Sequence, residues 1–255
     1  MQTLWIYDFA RSALTTMASM GSSQAPLWTP DGRRVIYRST TSGSRNLFWR
    51  SGDGGGDEER LTTGNRLQTP GSISDDGAIL LFTEVSPDTG RDIWMLDLRQ
   101  SPRAPQPLMT SRFSEDSPTL SPDGHWLAYV SDESSRPEVY VRPFPGAGGK
   151  LAVSTGGGAE PRWSKDGREL FYRDDDKMVA VALQTSGPSP VAGSPRVLFE
   201  GRFQVTDTGI GGYDVAKDGR FLMVQPSVNE KPATQIAVVL GWLDDLKTRV
   251  EAAVP

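Results

Sequence analysis

Cysteine is absent from this 255-residue chain and histidine occurs once, at position 125. Disulfides and thiolate chemistry are therefore excluded, and a tetrahedral zinc site or a Ser-His-Asp triad lacks its ordinary side chains. Positive charge is also short: 27 Lys and Arg stand against 32 Asp and Glu, a net charge of −5. Without a basic field to meet phosphates, no nucleic-acid partner is expected. Long apolar runs are missing too. The longest, Ile236 to Leu243, falls far short of the roughly 20 residues that cross a bilayer, so no membrane insertion is expected. The opening Met1 to Asp8 has neither a basic segment nor a long apolar one, unlike a secretory signal. A soluble, cytoplasmic chain is the expectation.

What the sequence has in quantity is turns, with 27 glycines and 19 prolines. Asp-Gly recurs at Asp31-Gly32, Asp76-Gly77, Asp123-Gly124, Asp166-Gly167 and Asp218-Gly219, at intervals of 43 to 52 residues. That is the period of a four-stranded propeller blade. Each turn follows a short segment that could form a first strand (Pro26 to Trp28, Pro70 to Ile73, Pro118 to Leu120, Pro161 to Trp163 and, before the fifth, Tyr213 to Val215). Each is followed by a near-continuous apolar one (Val35 to Tyr37, Ile79 to Phe82, Trp126 to Tyr129, Leu170 to Tyr172, Phe221 to Val224), suited to a second strand covered on both faces. Third strands are expected at Leu47 to Trp49, Ile93 to Leu96, Val139 to Val141 and Met178 to Val181, and weaker fourth strands at Arg60 to Thr62, Gln106 to Met109, Lys150 to Val153 and Arg196 to Phe199. The fold class is all-β, a β-propeller.

In Ser121-Pro122-Asp123-Gly124, proline presets φ, aspartate can bond the backbone, and glycine takes positive φ. These aspartates are structural in this reading, because they sit at the ends of separate hairpins. His125 occupies the following slot, which faces solvent. Gly156-Gly157-Gly158 lacks the helix and lysine of a phosphate loop, and Gly52 to Glu59 lacks EF-hand spacing. Trp5, Trp49 and Trp94 are expected on outer strands, filling the space between blades.

The blocks Thr29-Pro30-Asp31-Gly32-Arg33, Ser121-Pro122-Asp123-Gly124 and Ser164-Lys165-Asp166-Gly167-Arg168 resemble the WD40-like (PD40) repeats of TolB-like β-propellers. Glu138 to Pro145, Ser154 to Gly158, Glu169 to Tyr172 and Val238 to Leu243 resemble propellers found at the C-terminus of bacterial serine/threonine kinases. No glycine-rich nucleotide loop, His-Arg-Asp loop or Asp-Phe-Gly motif accompanies them. The resemblance implies the fold and leaves function to grafted sites.

The blade boundaries read as a partial blade over 1–20, blades over 21–64, 65–111, 112–156 and 157–203, a partial blade over 204–241, and a helix over 242–251 on which Trp242, Leu243, Leu246 and Val250 share a face. All are assigned to one domain, five- or six-bladed. Leu4 to Asp8 and Ala13 to Met17 read as third and fourth strands, and Tyr213 to Val215, Phe221 to Val224 and Ile236 to Leu240 as first to third. An N-terminal strand completing the C-terminal blade, strand exchange in a homodimer, and an open six-bladed ring are the three arrangements this permits.

Function in such a ring gathers on the loops opposite the Asp-Gly turns. The candidate ligand-binding residues there are Arg66, Arg112, Glu115, Asp116, Glu160, Arg162, Arg202 and Asp207. No catalytic residue is identifiable. The favoured function is a non-catalytic module binding a protein or small molecule on this loop face, as the sensor or scaffold part of a signalling-type protein. The alternative is an esterase- or lactonase-like hydrolase using acidic residues or a divalent cation. No cofactor is required, though Ca2+ in the central channel would serve that alternative.

Overall fold

The computed structural model describes residues 2–17, 21–146, 148–187, 189–204, 211–216 and 218–225. The expected strand at 236–240 and helix at 242–251 lie outside these. Within the unit Met1–Val224, the described elements are all strands. A two-stranded sheet, β1 (Leu4–Asp8) and β2 (Ala13–Met17), comes first. Three four-stranded antiparallel sheets follow: β3 (Ser23–Trp28), β4 (Arg34–Ser39), β5 (Asn46–Ser51) and β6 (Glu59–Arg60); β7 (Gln68–Ile73), β8 (Ile79–Ser86), β9 (Gly90–Asp97) and β10 (Gln106–Met109); β11 (Glu115–Leu120), β12 (Trp126–Ser131), β13 (Glu138–Pro143) and β14 (Leu151–Ala152). In the next sheet β15 (Ala159–Trp163), β16 (Glu169–Asp174) and β17 (Lys177–Gln184) are joined by two short strands, β18 (Val191–Ala192) and β19 (Arg196–Glu200), which pair with different parts of β17. A two-stranded sheet of β20 (Tyr213–Val215) and β21 (Phe221–Met223) is the last described.

The apolar second strands have a simple cause. Along β8, Leu80 and Phe82 pack with Ile36 and Leu47 of the preceding sheet, whereas Leu81 packs with Leu127 and Tyr129 of the following one. In β12 the same alternation sends Trp126, Ala128 and Val130 towards Trp163, Leu170 and Tyr172. In β16, Phe171 turns the other way and meets Tyr213 and Val215. A strand with a neighbour on each face needs apolar residues at odd and even positions alike. Each fully buried Leu or Phe contributes roughly 1.5–3 kcal/mol.

First strands share an irregularity. In β3, β11 and β15 the register with the second strand shifts around Ala25, Ser117 and Glu160, whose φ values are 54°, 53° and 53°. Each precedes a proline, and each is a bulge that re-aims the adjoining side chains. Positive φ at a non-glycine residue is uncommon and carries strain.

The two-stranded sheets differ from the rest. Leu4 and Ile6 pack towards Val35, Tyr37 and Phe48, but the opposite face of the same hairpin leaves Trp5 57% and Leu14 59% exposed. Among the described residues nothing covers the face of Trp5, so the packing between blades that the sequence suggested for it is not found there; Trp49 and Trp94 are half-buried and pack beside the cluster of Ile36 and Leu80.

Candidate functional site

Strand direction alternates along each sheet, so the Asp-Gly turns lie on one face of the unit and the entries into first and third strands on the other. On the turn face the repeat is a closed set of hydrogen bonds. Gly124 N donates to Ser121 O at 2.9 Å, His125 N to Asp123 Oδ1 at 3.1 Å and Trp126 N to Ser121 Oγ at 3.0 Å, while Ser121 Oγ donates to Asp123 Oδ1 at 2.5 Å. The same pattern holds at Thr29, Ser74 and Ser164. In the fifth turn Ala216 replaces the hydroxyl residue, yet Gly219 N still bonds Ala216 O at 3.0 Å. All five glycines have φ between 68° and 82°. Hydrogen bonds from Thr29, Ser74 and Ser164 hold the carboxyls of Asp31, Asp76 and Asp166 below the usual range, and the Arg220 backbone N–H does so for Asp218. These aspartates hold the turns, and His125 is exposed beside one of them.

A cavity of about 440 Å³ also lies on the turn face, lined by residues including Asp31, Arg34, Trp49, Asp75 and Asp76. The guanidinium carbons of Arg34 and Arg103 stand 4.1 and 4.9 Å from the ring centre of its lining residue Trp49. Glu59 accepts hydrogen bonds from Trp49 Nε1 at 2.6 Å and Arg103 Nη1 at 2.7 Å. Since Arg103 lies on the connection between β9 and β10 of the next sheet, this cluster ties two sheets together.

The loop face is built from polar seams between neighbouring sheets. Arg38, at the end of β4, donates to Thr69 Oγ1 of β7 at 2.9 Å and through Nε to Gln24 Oε1 at 2.9 Å. Thr83, the corresponding residue of β8, donates to Asp116 Oδ1 of β11 at 3.1 Å, and Arg91 pairs with Asp116 Oδ2 at 3.3 Å. Arg173, in the same position of β16, donates to Gln204 O at 3.0 Å and Asp175 O at 2.9 Å, 4.0 Å from Glu160. Glu160 in turn accepts from Gly212 N at 3.1 Å, while its carbonyl accepts from Tyr213 Oη at 2.8 Å.

The expected site residues separate on this face. Asp116 and Arg162 both lie within electrostatic reach of Glu160. Arg162 Nη1 donates to Pro161 O at 3.0 Å. Arg66 pairs with Glu84 at 3.4 Å, Arg112 stands 4.8 Å over the Phe113 ring, and Arg202 is exposed. Glu115 belongs to a different group: Ser111 Oγ donates to its Oε1, Asp92 and Asp132 bear on its charge, and its buried Oε2 has no partner among the described residues. Asp207 lies outside the described residues. The triple glycine is held by a carboxylate, with Gly157 N donating to Glu138 Oε1 at 3.0 Å.

Burial pushes the carboxyls of Glu115 and Glu160 up, and for Glu160 it outweighs the Gly212 hydrogen bond and the charges of Arg173 and Arg162. Arg38 is only 2% exposed. Loss of solvation, then the like charges of Arg45 and Arg91, bring its guanidinium down to about 10. Arg38, Arg91 and Arg173 were missed in the sequence, although repeat alignment does show Arg38, Thr83, Val130 and Arg173 seven residues after successive turn aspartates. With arginines interleaved among the acids, this donor set suits a divalent cation poorly. Among the described residues no group of three or more Asp, Glu or His side chains is placed to hold one.

Among solved structures, TolB from Acinetobacter baumannii superposes with a TM-score of 0.66 at 21% identity, over 86% of this chain and 58% of that one. This chain thus spans little more than half of that protein. An oligogalacturonate lyase in complex with manganese matches at TM-score 0.60 and 12% identity, over 89% of this chain and 65% of the lyase. A puromycin-hydrolysing peptidase of Mycobacterium tuberculosis matches at 0.59 and 18%, over 82% and 38%. At such identities the likeness is one of fold. The model of the TolB beta propeller domain, PD40, matches residues 1–140, and with more than half its length so matched, the chain belongs to the TolB β-propeller family.

Proposed function

We propose that the chain is a non-catalytic binding module, the sensor or scaffold part of a signalling-type protein, taking its ligand on the loop face. The observation that carries this is the use of the buried polar groups there. Asp116, Glu160, Arg38 and Arg173 are engaged in bonds between or within sheets, which fixes a rigid surface, while Arg112 and Arg202 remain exposed and Arg66 half-exposed. A preorganised surface loses little freedom on binding. The test is a pull-down and a small-molecule thermal-shift screen. Substitution of Arg66, Arg112 or Arg202 by Gln is expected to abolish a hit while glycine substitutions in the turns lower stability only. Hits that survive every loop-face substitution would defeat the proposal.

Hydrolysis of an ester or lactone draws support from Glu115, a buried carboxyl held towards its protonated form beside Ser111. A turnover found in an ester and lactone panel and lost in Glu115→Gln would favour it over binding alone. Strand exchange between two copies draws on faces of β1 and β21 that no described residue covers, where Tyr7 and Leu222 are exposed. Its test is the solution mass, expected at twice that of one chain.

A further inference from the structure

Arg38 is a buried guanidinium that donates to two neutral side chains, Gln24 and Thr69. Neither it nor Arg45, exposed at the entry to β5, forms an ion pair among the described residues, while Arg91 nearby already pairs with Asp116. A buried charge is ordinarily matched by an opposite one, because solvation lost on burial is otherwise not replaced. Both arginines line a cavity of about 220 Å³ on the loop face, completed by Gln2, Ser22, Gln24 and Thr40. Among the described residues this lining contains no carboxylate. Ser22 Oγ accepts from Gln2 N at 3.1 Å and Thr40 Oγ1 accepts from Ser22 N at 2.9 Å, so both hydroxyls keep their own protons to donate. In a chain of net charge −5, this pocket offers two guanidiniums, two hydroxyl donors and side-chain amides.

We propose that this cavity is a binding site for a small oxyanion, a carboxylate or phosphate of a few heavy atoms, held between Arg38 and Arg45 with Ser22 and Thr40 donating to its oxygens. The volume is below that of pockets for drug-sized ligands, and guanidinium forks match both oxyanions. The inference deepens the loop-face binding proposal and rests on it, since it names the ligand class and a new pair of residues on that face.

The test is calorimetric titration of the whole chain with inorganic phosphate and, separately, with succinate, at constant ionic strength and pH 7.5. Saturable one-to-one binding of at least one is expected, and the stronger arm distinguishes a phosphate ligand from a carboxylate. Arg45→Gln, whose side chain is exposed and leaves folding intact, should weaken binding at least tenfold. Arg38→Lys, which keeps the charge but loses the fork, should weaken it comparably, with folding checked by its melting curve. Arg168→Gln, exposed on the turn face, should leave it unchanged. No binding of either anion to the wild type, or equal binding by Arg45→Gln, overturns the assignment. Should anion binding fail while Arg66 or Arg112 substitutions abolish another ligand's capture, the loop-face proposal stands and the oxyanion pocket falls.

Discussion

The two faces of the sheets treat their acidic residues in opposite ways. On the turn face Asp31, Asp76, Asp166 and Asp218 are exposed, and local hydrogen bonds lower their carboxyl pKa values. On the loop face Glu115 and Glu160 are buried, and lost solvation raises theirs. The turn face repeats one small device in almost identical form, whereas the loop face changes its residues from sheet to sheet: Arg38, Thr83, Val130 and Arg173 occupy one slot. Repetition serves the fold, and variation at equivalent positions is where a particular ligand can be specified.

The contrast can be broken at several points. The largest effect is expected for Arg173→Met, which removes the donor to Gln204 and deprives the buried Glu160 carboxylate of the larger of the two arginine charges that favour it. Breaking one side of a buried pair costs about 3–5 kcal/mol, read as a fall in the urea midpoint; a loss under about 1 kcal/mol would show that the seam does not hold the sheets. Next comes Gly124→Ala. With φ at +72° and no atom within 4 Å of the added carbon, backbone strain alone is imposed, roughly 1–2 kcal/mol by chemical denaturation. Ser121→Ala should cost about 1 kcal/mol, since one hydroxyl serves both Asp123 and Trp126. An equal loss at Ala216→Gly would argue that the hydroxyl is immaterial.

The smallest effect is in pH dependence. For Asp31, Asp76, Asp166 and Asp218, whose folded pKa values lie below the unfolded value of about 3.9, the stabilisation is complete above that value and is lost as pH falls through the lowered folded ones. For Glu115 and Glu160 the sign reverses. Their folded pKa values exceed the unfolded value of about 4.3, so ionisation disfavours the folded state, and their contribution improves as pH falls through the raised folded values towards the unfolded one. Glu115→Gln should therefore be neutral or stabilising at pH 8 and should flatten the rise in urea midpoint between pH 8 and 5. A destabilised Glu115→Gln protein at pH 8 would contradict this.

Much of the fold was legible because its signals are local. Asp-Gly after a hydroxyl residue encodes a turn within six residues, and the doubly apolar second strands declare two neighbours. The loop face was only partly legible. Asp116, Glu160 and Arg162 do share a region, but Glu115, adjacent to Asp116 in sequence, falls on the other side of its strand with Ser111. The bulge at Ser117 and the partnership of Arg38 with Thr69 link residues far apart in the chain, and no local pattern encodes such pairs. Arg38 reads as one more arginine until burial shows that it lacks a carboxylate.

A paired measurement on Gly124→Ala and Arg45→Gln tests the proposed division of labour between the faces most directly. Urea unfolding and anion titration are followed for both proteins. The expected result is a lowered midpoint with unchanged anion affinity for Gly124→Ala, and an unchanged midpoint with affinity reduced at least tenfold for Arg45→Gln. Both properties moving together in either variant would contradict the division.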